Sequence, residues 1–215
     1  MRNLAKDEIE MAARREAMLE QGFRLFSEKG IEAVTMLEVS KACSLGIATL
    51  YRYYKTKLAL VIDISTKQWT RFTDSVQAKR EHEHADEMTA AEELRFFLDL
   101  FIELYRKHRD LLRFSTYFNE YVLRGKPEPK QLRPYLNAIE SFVGMFHGIY
   151  EKGQRDGTIR TELPEDKMLV ATCHIMMAVP PHSASRLVYA SVHKEDRSDE
   201  LALLRDMILD TFVVS

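Results

Sequence analysis

The sequence has little cysteine and lacks the short patterns of common enzyme and metal sites. Its 215 residues include two cysteines, Cys43 and Cys173, which are far apart and lack the spacing of metal ligands. The GxSxG, P-loop, GxGxxG and HExxH patterns are all missing. His82 and His84 lie in a charged linker, which favours a solvated loop over a metal site. We therefore expect no disulfide, catalytic residue, metal or cofactor, and the sequence disfavours an enzyme.

Long apolar runs are also missing. The N-terminal segment MRNLAKDEIEMAARRE contains acids and lacks the apolar core of a secretion signal. No stretch approaches the ~18 apolar residues that a membrane-spanning helix needs. Hydrophobic residues make up 46% of the chain and charged residues 30%, as in ordinary globular proteins. We therefore expect no membrane insertion and a cytoplasmic location, where two unpaired cysteines stay reduced.

Acidic residues are absent from one internal segment, although the chain as a whole is slightly acidic. The formal net charge is -2, which disfavours a protein that coats nucleic acid without sequence preference. No acidic residue lies between Glu38 and Asp63. The basic residues in this window are Lys41, Arg52, Lys55 and Lys57. A short basic segment therefore lies within an otherwise acidic chain.

Hydrophobic spacing predicts helices along nearly the whole chain. No segment shows sustained strand alternation or an Asn-Gly hairpin signal. Helices are predicted near residues 6–29, 35–43, 47–54, 57–80, 89–107, 110–123, 132–154, 164–187 and 198–213. Loops are predicted at 125–129 and 153–157, and Pro180 and Pro181 should break or kink their helix. The predicted fold class is all-α.

Two short helices near the N-terminus have clear boundary signals. Gly30 should end the first helix, because glycine adopts the left-handed conformation without a Cβ penalty. Thr35 and Glu38 have the spacing of a capping box, which marks the start of the next helix. Residues 44–46 leave room only for a tight turn before helical spacing resumes at Ile47. Two short helices joined this closely predict a helix-turn-helix.

Residues 15–60, REAMLEQGFRLFSEKGIEAVTMLEVSKACSLGIATLYRYYKTKLAL, resemble the DNA-binding domain of the TetR family. The matching positions are Phe26, Gly30, Thr35, Thr49, Leu50, Tyr51, Lys57 and Leu60. The resemblance implies an N-terminal three-helix helix-turn-helix DNA-binding domain over 1–56. It also implies a C-terminal helical bundle for ligand binding and dimerisation over 57–215. In the family, residues that match Thr35, Tyr51 and Lys57 hold DNA phosphates.

The residues of the basic segment also suit DNA contact by their own chemistry. Small residues at the start of a recognition helix allow it to approach base edges. Hydroxyl, phenol, guanidinium and ammonium groups donate hydrogen bonds to phosphate, and the N-terminus of the following helix attracts anionic oxygen. The predicted DNA-binding residues are Thr35, Gly46, Ile47, Ala48, Thr49, Tyr51, Arg52, Tyr53, Lys55 and Lys57.

Three positions depart from the family pattern. Glycine is usual at Ser44, and a positive φ there would cost a serine about 1 kcal/mol relative to glycine. Serine or threonine is usual at Gly46, so a hydroxyl contact to phosphate is absent at this position. Ile47 is apolar where many relatives have a polar or charged residue. Contact with a thymine methyl group is therefore expected there, and a guanine contact is not.

Aromatic residues are dense between Phe96 and Tyr150. For any single one, a place in the core of a helical bundle is the simpler interpretation. Several large side chains together favour a cavity, because they pack imperfectly and tyrosine hydroxyls need partners. The family resemblance implies that these helices surround an effector. The predicted pocket, for a largely apolar ligand, comprises Phe97, Phe101, Tyr105, Tyr117, Phe118, Tyr121, Phe142, Phe146 and Met176.

The last two helices are apolar on more than one side. The segment from Met168 to Val179 has few polar residues, and the final helix has an apolar stripe with Leu203 and Met207 beside it. The resemblance implies that both helices pair with a second copy of the chain. The predicted dimer residues are Met177, Leu201, Leu204, Ile208 and Phe212. The alternative is that both helices close the core of the monomer.

The combined interpretation is a transcriptional regulator that binds palindromic operator DNA as a homodimer and is released by a small-molecule effector. Repression is favoured, and activation by the same architecture is an alternative. A second alternative, from another class, is a helical small-molecule-binding or adaptor protein with a vestigial helix-turn-helix. The intact basic segment argues against that second alternative.

Overall fold

The computed structural model describes residues 4–177 and 198–214. Within these ranges it contains nine α-helices, a 3-10 turn at Ala85–Glu87 and no strand beyond an isolated bridge between Ile159 and Val213. The predicted all-α fold class is therefore confirmed. The helices are α1 (Leu4–Lys29), α2 (Met36–Ala42), α3 (Ile47–Tyr53), α4 (Lys57–His82), α5 (Ala90–Lys107), α6 (Arg109–Gly125), α7 (Pro129–Asp156), α8 (Glu165–Met177) and α9 (Ser198–Phe212).

The helix boundaries follow the predicted local signals. Gly30 has a φ of 88°, the left-handed conformation expected of a glycine that ends a helix. Thr35 begins α2 with a complete capping box to Glu38, as predicted. Thr89 and Glu92 make a second capping box at the start of α5. These boundaries are therefore determined by neighbours in the sequence.

Helix α7 extends beyond its predicted bounds, and α8 is described only in part. The helix predicted over 132–154 runs from Pro129 to Asp156, so Gly153 is helical and not in a loop. A Cβ at Gly153 would lie 2.1 Å from Cγ1 of Ile159, so only glycine allows this close approach. The helix predicted over 164–187 is described from Glu165 to Met177. Its remaining part, with Pro180 and Pro181, lies outside the described residues.

The chain divides into two compact units by packing. The first unit comprises Met1–Thr70 and Arg113–Asn137, and the second comprises Arg71–Leu112 and Ala138–Ser215. The boundary predicted between residues 56 and 57 is a functional division and stays a prediction. The packing division adds part of α4, most of α6 and the start of α7 to the N-terminal helices.

The first unit has a continuous apolar core. Leu50 of α3 and Leu60 of α4 are fully buried there. The rings of Phe23 and Phe114 meet edge to face at 5.5 Å between centroids, which joins α1 to α6. Burial of each such side chain stabilises the fold by about 1.5–3 kcal/mol. The short helices α2 and α3 therefore share one core with α1, α4 and α6.

The second unit contains a charged cluster around one buried carboxylate. The carboxylate of Glu93 is buried and lies 2.5 Å from Arg80 and 2.6 Å from Lys152. Lys152 also donates to the carbonyl oxygens of Ala85 and Met88. This cluster ties α4, α5 and α7 together with the segment after α4. None of the described helices is long and apolar enough to cross a membrane.

Candidate nucleic-acid interface

Helix α3 has only one fully buried side chain, that of Leu50. Ala48, Tyr51 and Arg52 are exposed, with 49% of Tyr51 accessible. The helix is seven residues long. One face therefore presents a small residue, a phenol and a guanidinium to solvent, which are groups that contact base edges and phosphates.

The turn between α2 and α3 contains a left-handed residue at Ser44, the position where glycine is usual in the family. Ser44 has a φ of 56°, a conformation that costs a residue with a Cβ about 1 kcal/mol relative to glycine. Gly46 is the N-cap of α3, with a φ of -67° and no side-chain hydrogen bond to the helix. Both departures from the family pattern are therefore tolerated by the backbone.

Residues at the start of α3 differ in how much they expose. Gly46 and Ala48 are exposed, whereas Ile47 and Thr49 are half-buried. Ile47 packs in part against the core of the first unit. Less of this side chain is consequently free for a thymine methyl group than the sequence indicates, and the base contact stays a prediction.

Thr35, a predicted phosphate contact, already uses its hydroxyl within the capping box. The hydroxyl donates to Oε2 of Glu38 at 2.9 Å and accepts from the Glu38 backbone N–H at 3.2 Å. These donors hold the pKa of Glu38 below its usual value, the Thr35 backbone N–H having the largest influence. A phosphate at Thr35 would have to replace or approach the Glu38 carboxylate.

Lys57 lies at the first turn of α4, where an anionic oxygen also meets the unpaired N–H groups of the helix. Its Nζ donates to the carbonyl oxygen of Glu32 at 3.4 Å. The same nitrogen lies 5.8 Å from the ring centroid of Phe26 and 5.5 Å from that of Tyr121. Burial lowers the Lys57 pKa, and the charges of nearby glutamates partly oppose this. The ammonium is thus held in place before any phosphate binds.

The other predicted contacts lie at the end of α3 and in the turn after it. The Tyr53 hydroxyl donates to the carbonyl oxygen of Met11 at 3.5 Å. The Arg52 guanidinium carbon is 6.0 Å from the centroid of the Tyr53 ring. Lys55 is exposed between α3 and α4. Tyr53 therefore also joins α3 to α1.

A polar network at the end of α3 has no counterpart in the sequence-based predictions. The Tyr54 hydroxyl donates to Oδ2 of Asp63 at 2.5 Å, and Arg15 donates to both oxygens of Asp63 at 2.7 and 3.0 Å. Burial, followed by the bond to Asp63, raises the pKa of Tyr54, so its hydroxyl remains a donor. Arg15 lies 48 residues from Asp63, and no local pattern connects them. We call these three residues the α3 brace.

The nine predicted pocket residues are divided between the two units. Phe97, Phe101, Phe142 and Phe146 pack together in the second unit, with ring centroids 5.2–5.7 Å apart. Tyr105 and Met176 are also buried in that unit. Tyr117, Phe118 and Tyr121 belong to the first unit.

Phe118 has a different environment from the four phenylalanines of the second unit. Its ring stacks on Phe114 and lies 4.7 Å from the centroid of Tyr135. The sequence pattern predicts that the aromatic residues of α6 line the same pocket as those of α5 and α7. Helical periodicity does not show to which unit each face of a helix belongs. The pocket itself stays a prediction.

The predicted dimer stripe of α9 mostly faces the chain's own core. Leu201, Ile208 and Phe212 are buried in the second unit, where α9 packs on α5, and this placement revises the prediction for these residues. Leu204 and Met177 are half-buried. The helix is apolar on two adjacent faces, and periodicity alone does not show which of them the monomer uses.

Other apolar side chains of α8 and α9 are exposed in the second unit. On α9, Leu203 is 62% exposed and Met207 is 56% exposed. On α8, Val170 is 50% exposed and Ile175 is 39% exposed. These four exposed apolar residues are called here the α8–α9 surface.

Comparisons with known proteins agree with this geometry. Residues 18–64, which include α2, α3 and the start of α4, match the family model described as bacterial regulatory proteins, tetR family. An HTH-type transcriptional regulator of Staphylococcus aureus is 25% identical over 166 residues, which cover 77% of this chain and 80% of that protein.

Two solved structures share this fold over more than 90% of the chain. A bacterial regulatory protein in the tetR family from Rhodococcus RHA1 has a TM-score of 0.71 at 17% identity, covering 94% of this chain and 98% of that one. The transcriptional regulator FadR from Bacillus subtilis, in complex with stearoyl-CoA, has a TM-score of 0.68 at 14% identity, covering 91% and 98%. Residues 18–64 therefore form a DNA-binding helix-turn-helix of the tetR family of bacterial regulatory proteins, and the chain shares the all-α fold of solved members of that family.

Proposed function

We propose that the chain is a ligand-responsive repressor that binds palindromic operator DNA as a homodimer and is released by a small, largely apolar effector. The observation that carries the proposal is the exposed face of α3. It presents Ala48, Tyr51 and Arg52 from a segment free of acidic side chains. A helix with this surface enters the major groove with its N-terminal residues at the base edges.

The contacts divide into two kinds. Gly46, Ile47, Ala48 and Thr49, at the start of α3, are proposed to contact base edges. Phosphates are proposed to bind the donors around this start, namely Thr35, Tyr51, Arg52, Tyr53, Lys55 and Lys57. The division matters for experiments, because only charged phosphate contacts change the salt dependence of binding.

Dimerisation is proposed to use the α8–α9 surface. Leu203 and Met207 are four residues apart and therefore lie on one face of α9. Exposed apolar side chains on two adjacent helices suit an isologous contact, in which each copy buries the same face. Two copies would present two α3 helices to the two halves of a palindrome.

The effector is proposed to bind in the second unit, at the cluster of Phe97, Phe101, Phe142 and Phe146. This cluster supports an apolar ligand because its rings offer no hydrogen-bonding groups. The fold neighbour FadR, which binds stearoyl-CoA, supports a small molecule with a large apolar part. Since operator DNA lies in the bacterial cytoplasm, we propose that the protein acts there.

The test is selection of DNA by the purified protein. A library of random duplexes is enriched on the protein, and the enriched duplex is compared with a random duplex in binding assays. The proposal expects a palindromic sequence, bound as a dimer in sedimentation. Failure to enrich any sequence, together with tight binding of apolar ligands, would instead favour a small-molecule-binding protein with a vestigial helix-turn-helix.

A further inference from the structure

Helix α3 is held mainly by apolar packing. Leu50 is its one fully buried side chain, and Gly46 gives it no side-chain cap. Ile47 and Tyr53 pack in part against the same core, and the Tyr53 hydroxyl donates a long hydrogen bond to the carbonyl oxygen of Met11 at 3.5 Å. Apolar burial is non-directional, so this packing determines the orientation of the helix less sharply than short hydrogen bonds do. A helix that reads base edges needs its orientation fixed, because a bidentate or methyl contact tolerates little displacement.

The α3 brace supplies directional contacts at the other end of the helix. Tyr54 is the C-cap of α3, and its backbone N–H donates to the carbonyl oxygen of Leu50 at 2.9 Å. Its side chain is 6% exposed. The Tyr54 hydroxyl reaches Asp63 on α4, and Arg15 on α1 closes the network on the same carboxylate. The residue that caps α3 is therefore bonded to both α1 and α4.

Hydrogen bonds to charged groups are short and directional, and a buried one shifts an equilibrium by about tenfold or more. The Tyr54–Asp63 distance of 2.5 Å and the bidentate Arg15–Asp63 pair both belong to this class. An ion pair exposed to solvent contributes less, and the Arg15 side chain is 56% exposed. The Arg15 Nε–H also donates to the Tyr54 oxygen at 3.4 Å. The three side chains thus form a closed triangle that holds the phenol in one position.

We propose that Tyr54, Asp63 and Arg15 are positioning residues for DNA recognition: they orient α3 for base contact without touching DNA themselves. The proposal rests on the function proposed above. Operator specificity then depends in part on three residues outside the surface that contacts DNA. Their loss should reduce discrimination between operator and random DNA and should leave phosphate contacts in place.

The same pair of helices offers a matched control. Lys67 of α4 is paired with Glu16 and Glu20 of α1, and its side chain is 15% exposed. This contact joins α1 to α4 as the brace does, but it does not include α3. Lys67→Gln should therefore lower stability to a similar extent and leave operator discrimination unchanged.

The experiment compares Tyr54→Phe, Arg15→Gln and Lys67→Gln with the wild type. Thermal unfolding is measured first. DNA binding is then measured on the enriched duplex and on a random duplex, at a temperature well below the unfolding midpoint of each protein. Tyr54→Phe should weaken operator binding by about five- to tenfold, and Arg15→Gln by about two- to fivefold because its ion pair is exposed to solvent. Random DNA should change by less than about twofold in both variants, with an unchanged salt slope.

Two outcomes would overturn the role of the brace. One is an unchanged operator-to-random ratio in both Tyr54→Phe and Arg15→Gln. The other is an equal loss of discrimination in Lys67→Gln, which would make the brace one stabilising contact among several. A wild-type protein that enriches no sequence is a different failure, because it overturns the proposed function and the positioning role with it.

Discussion

The exposed face of α3 and the α8–α9 surface differ in chemistry. Helix α3 exposes Tyr51 and Arg52, which donate hydrogen bonds, whereas α9 exposes Leu203 and Met207, which do not. Binding of DNA to the exposed face of α3 should weaken steeply as salt rises, because binding releases ions from DNA. Association of two copies through the α8–α9 surface is driven by apolar burial, and it should change little or strengthen as salt rises. Salt can therefore separate DNA binding from dimerisation in one protein.

The largest expected effects come from a matched pair of buried phenylalanines, one in each unit. Phe118 is 2% exposed in the first unit and Phe146 is fully buried in the second. Each change to alanine should cost about 3–5 kcal/mol of unfolding free energy. Phe118→Ala should also weaken operator binding, and Phe146→Ala should alter the response to apolar ligands. Calorimetry measures the stability of each variant, and titrations with DNA and with apolar ligands measure the two functions. Loss of ligand response in Phe118→Ala and of operator binding in Phe146→Ala would contradict the prediction.

The next effect concerns the dimer. Leu203→Glu places a charge on the α8–α9 surface and should cost about 2 kcal/mol or more of association free energy, with loss of operator binding. Leu123→Glu is the control, because Leu123 is 77% exposed on α6 in the first unit. Sedimentation should find monomers of Leu203→Glu and dimers of Leu123→Glu. Dimers of both at micromolar concentration would refute the proposed surface.

A substitution on the buried face of α9 sharpens this comparison. Ile208 is 4% exposed, so Ile208→Glu buries a charge without a partner and should cost roughly 2 kcal/mol or more of unfolding free energy. Leu203→Glu should leave the unfolding of the monomer nearly unchanged. Chemical denaturation measures both, and equal destabilisation would mean that the two faces of α9 are assigned wrongly.

A smaller effect tests the charged contact of Lys57. Lys57→Ala should weaken operator and random DNA alike and lower the log-log salt slope by about one unit per subunit. Lys130→Ala removes a charge from an exposed position of the same unit and should leave the slope unchanged. Titrations at four or more salt concentrations give the slopes, and an intact slope in Lys57→Ala would remove this residue from the phosphate contacts.

The smallest effect is in the turn before α3. Because Ser44 has a φ of 56°, Ser44→Gly should stabilise the protein by about 1 kcal/mol. Ser44→Ala keeps a Cβ and should give no such gain. Denaturant midpoints compare the two variants, and equal stability of both would show that the left-handed conformation at this turn costs less than stated.

Features determined by near neighbours in the chain could be predicted from the sequence. The capping boxes at Thr35 and Thr89, the left-handed Gly30 and the strained Ser44 each depend on residues three or four positions away at most. Their free energies are local, so the pattern alone shows them.

Features determined by distant contacts could not be predicted in the same way. The Arg15–Asp63 pair joins residues 48 positions apart, and the Tyr54 hydroxyl gains its role only when α1 and α4 pack together. Two faces of α9 are apolar, and packing against α5 determines which of them is buried. Helical spacing gives the faces of a helix but not the partner of each face.

The central claim, that the N-terminal residues of α3 read DNA bases, is tested most directly with Ala48→Leu. Ala48 is exposed on α3, so a leucine there keeps the helix and the core intact while it obstructs entry into the major groove. The measurement is the affinity of wild type and variant for the enriched duplex and for a random duplex. The account predicts a loss of about tenfold or more on the enriched duplex alone. Equal affinities of variant and wild type for the enriched duplex would contradict it.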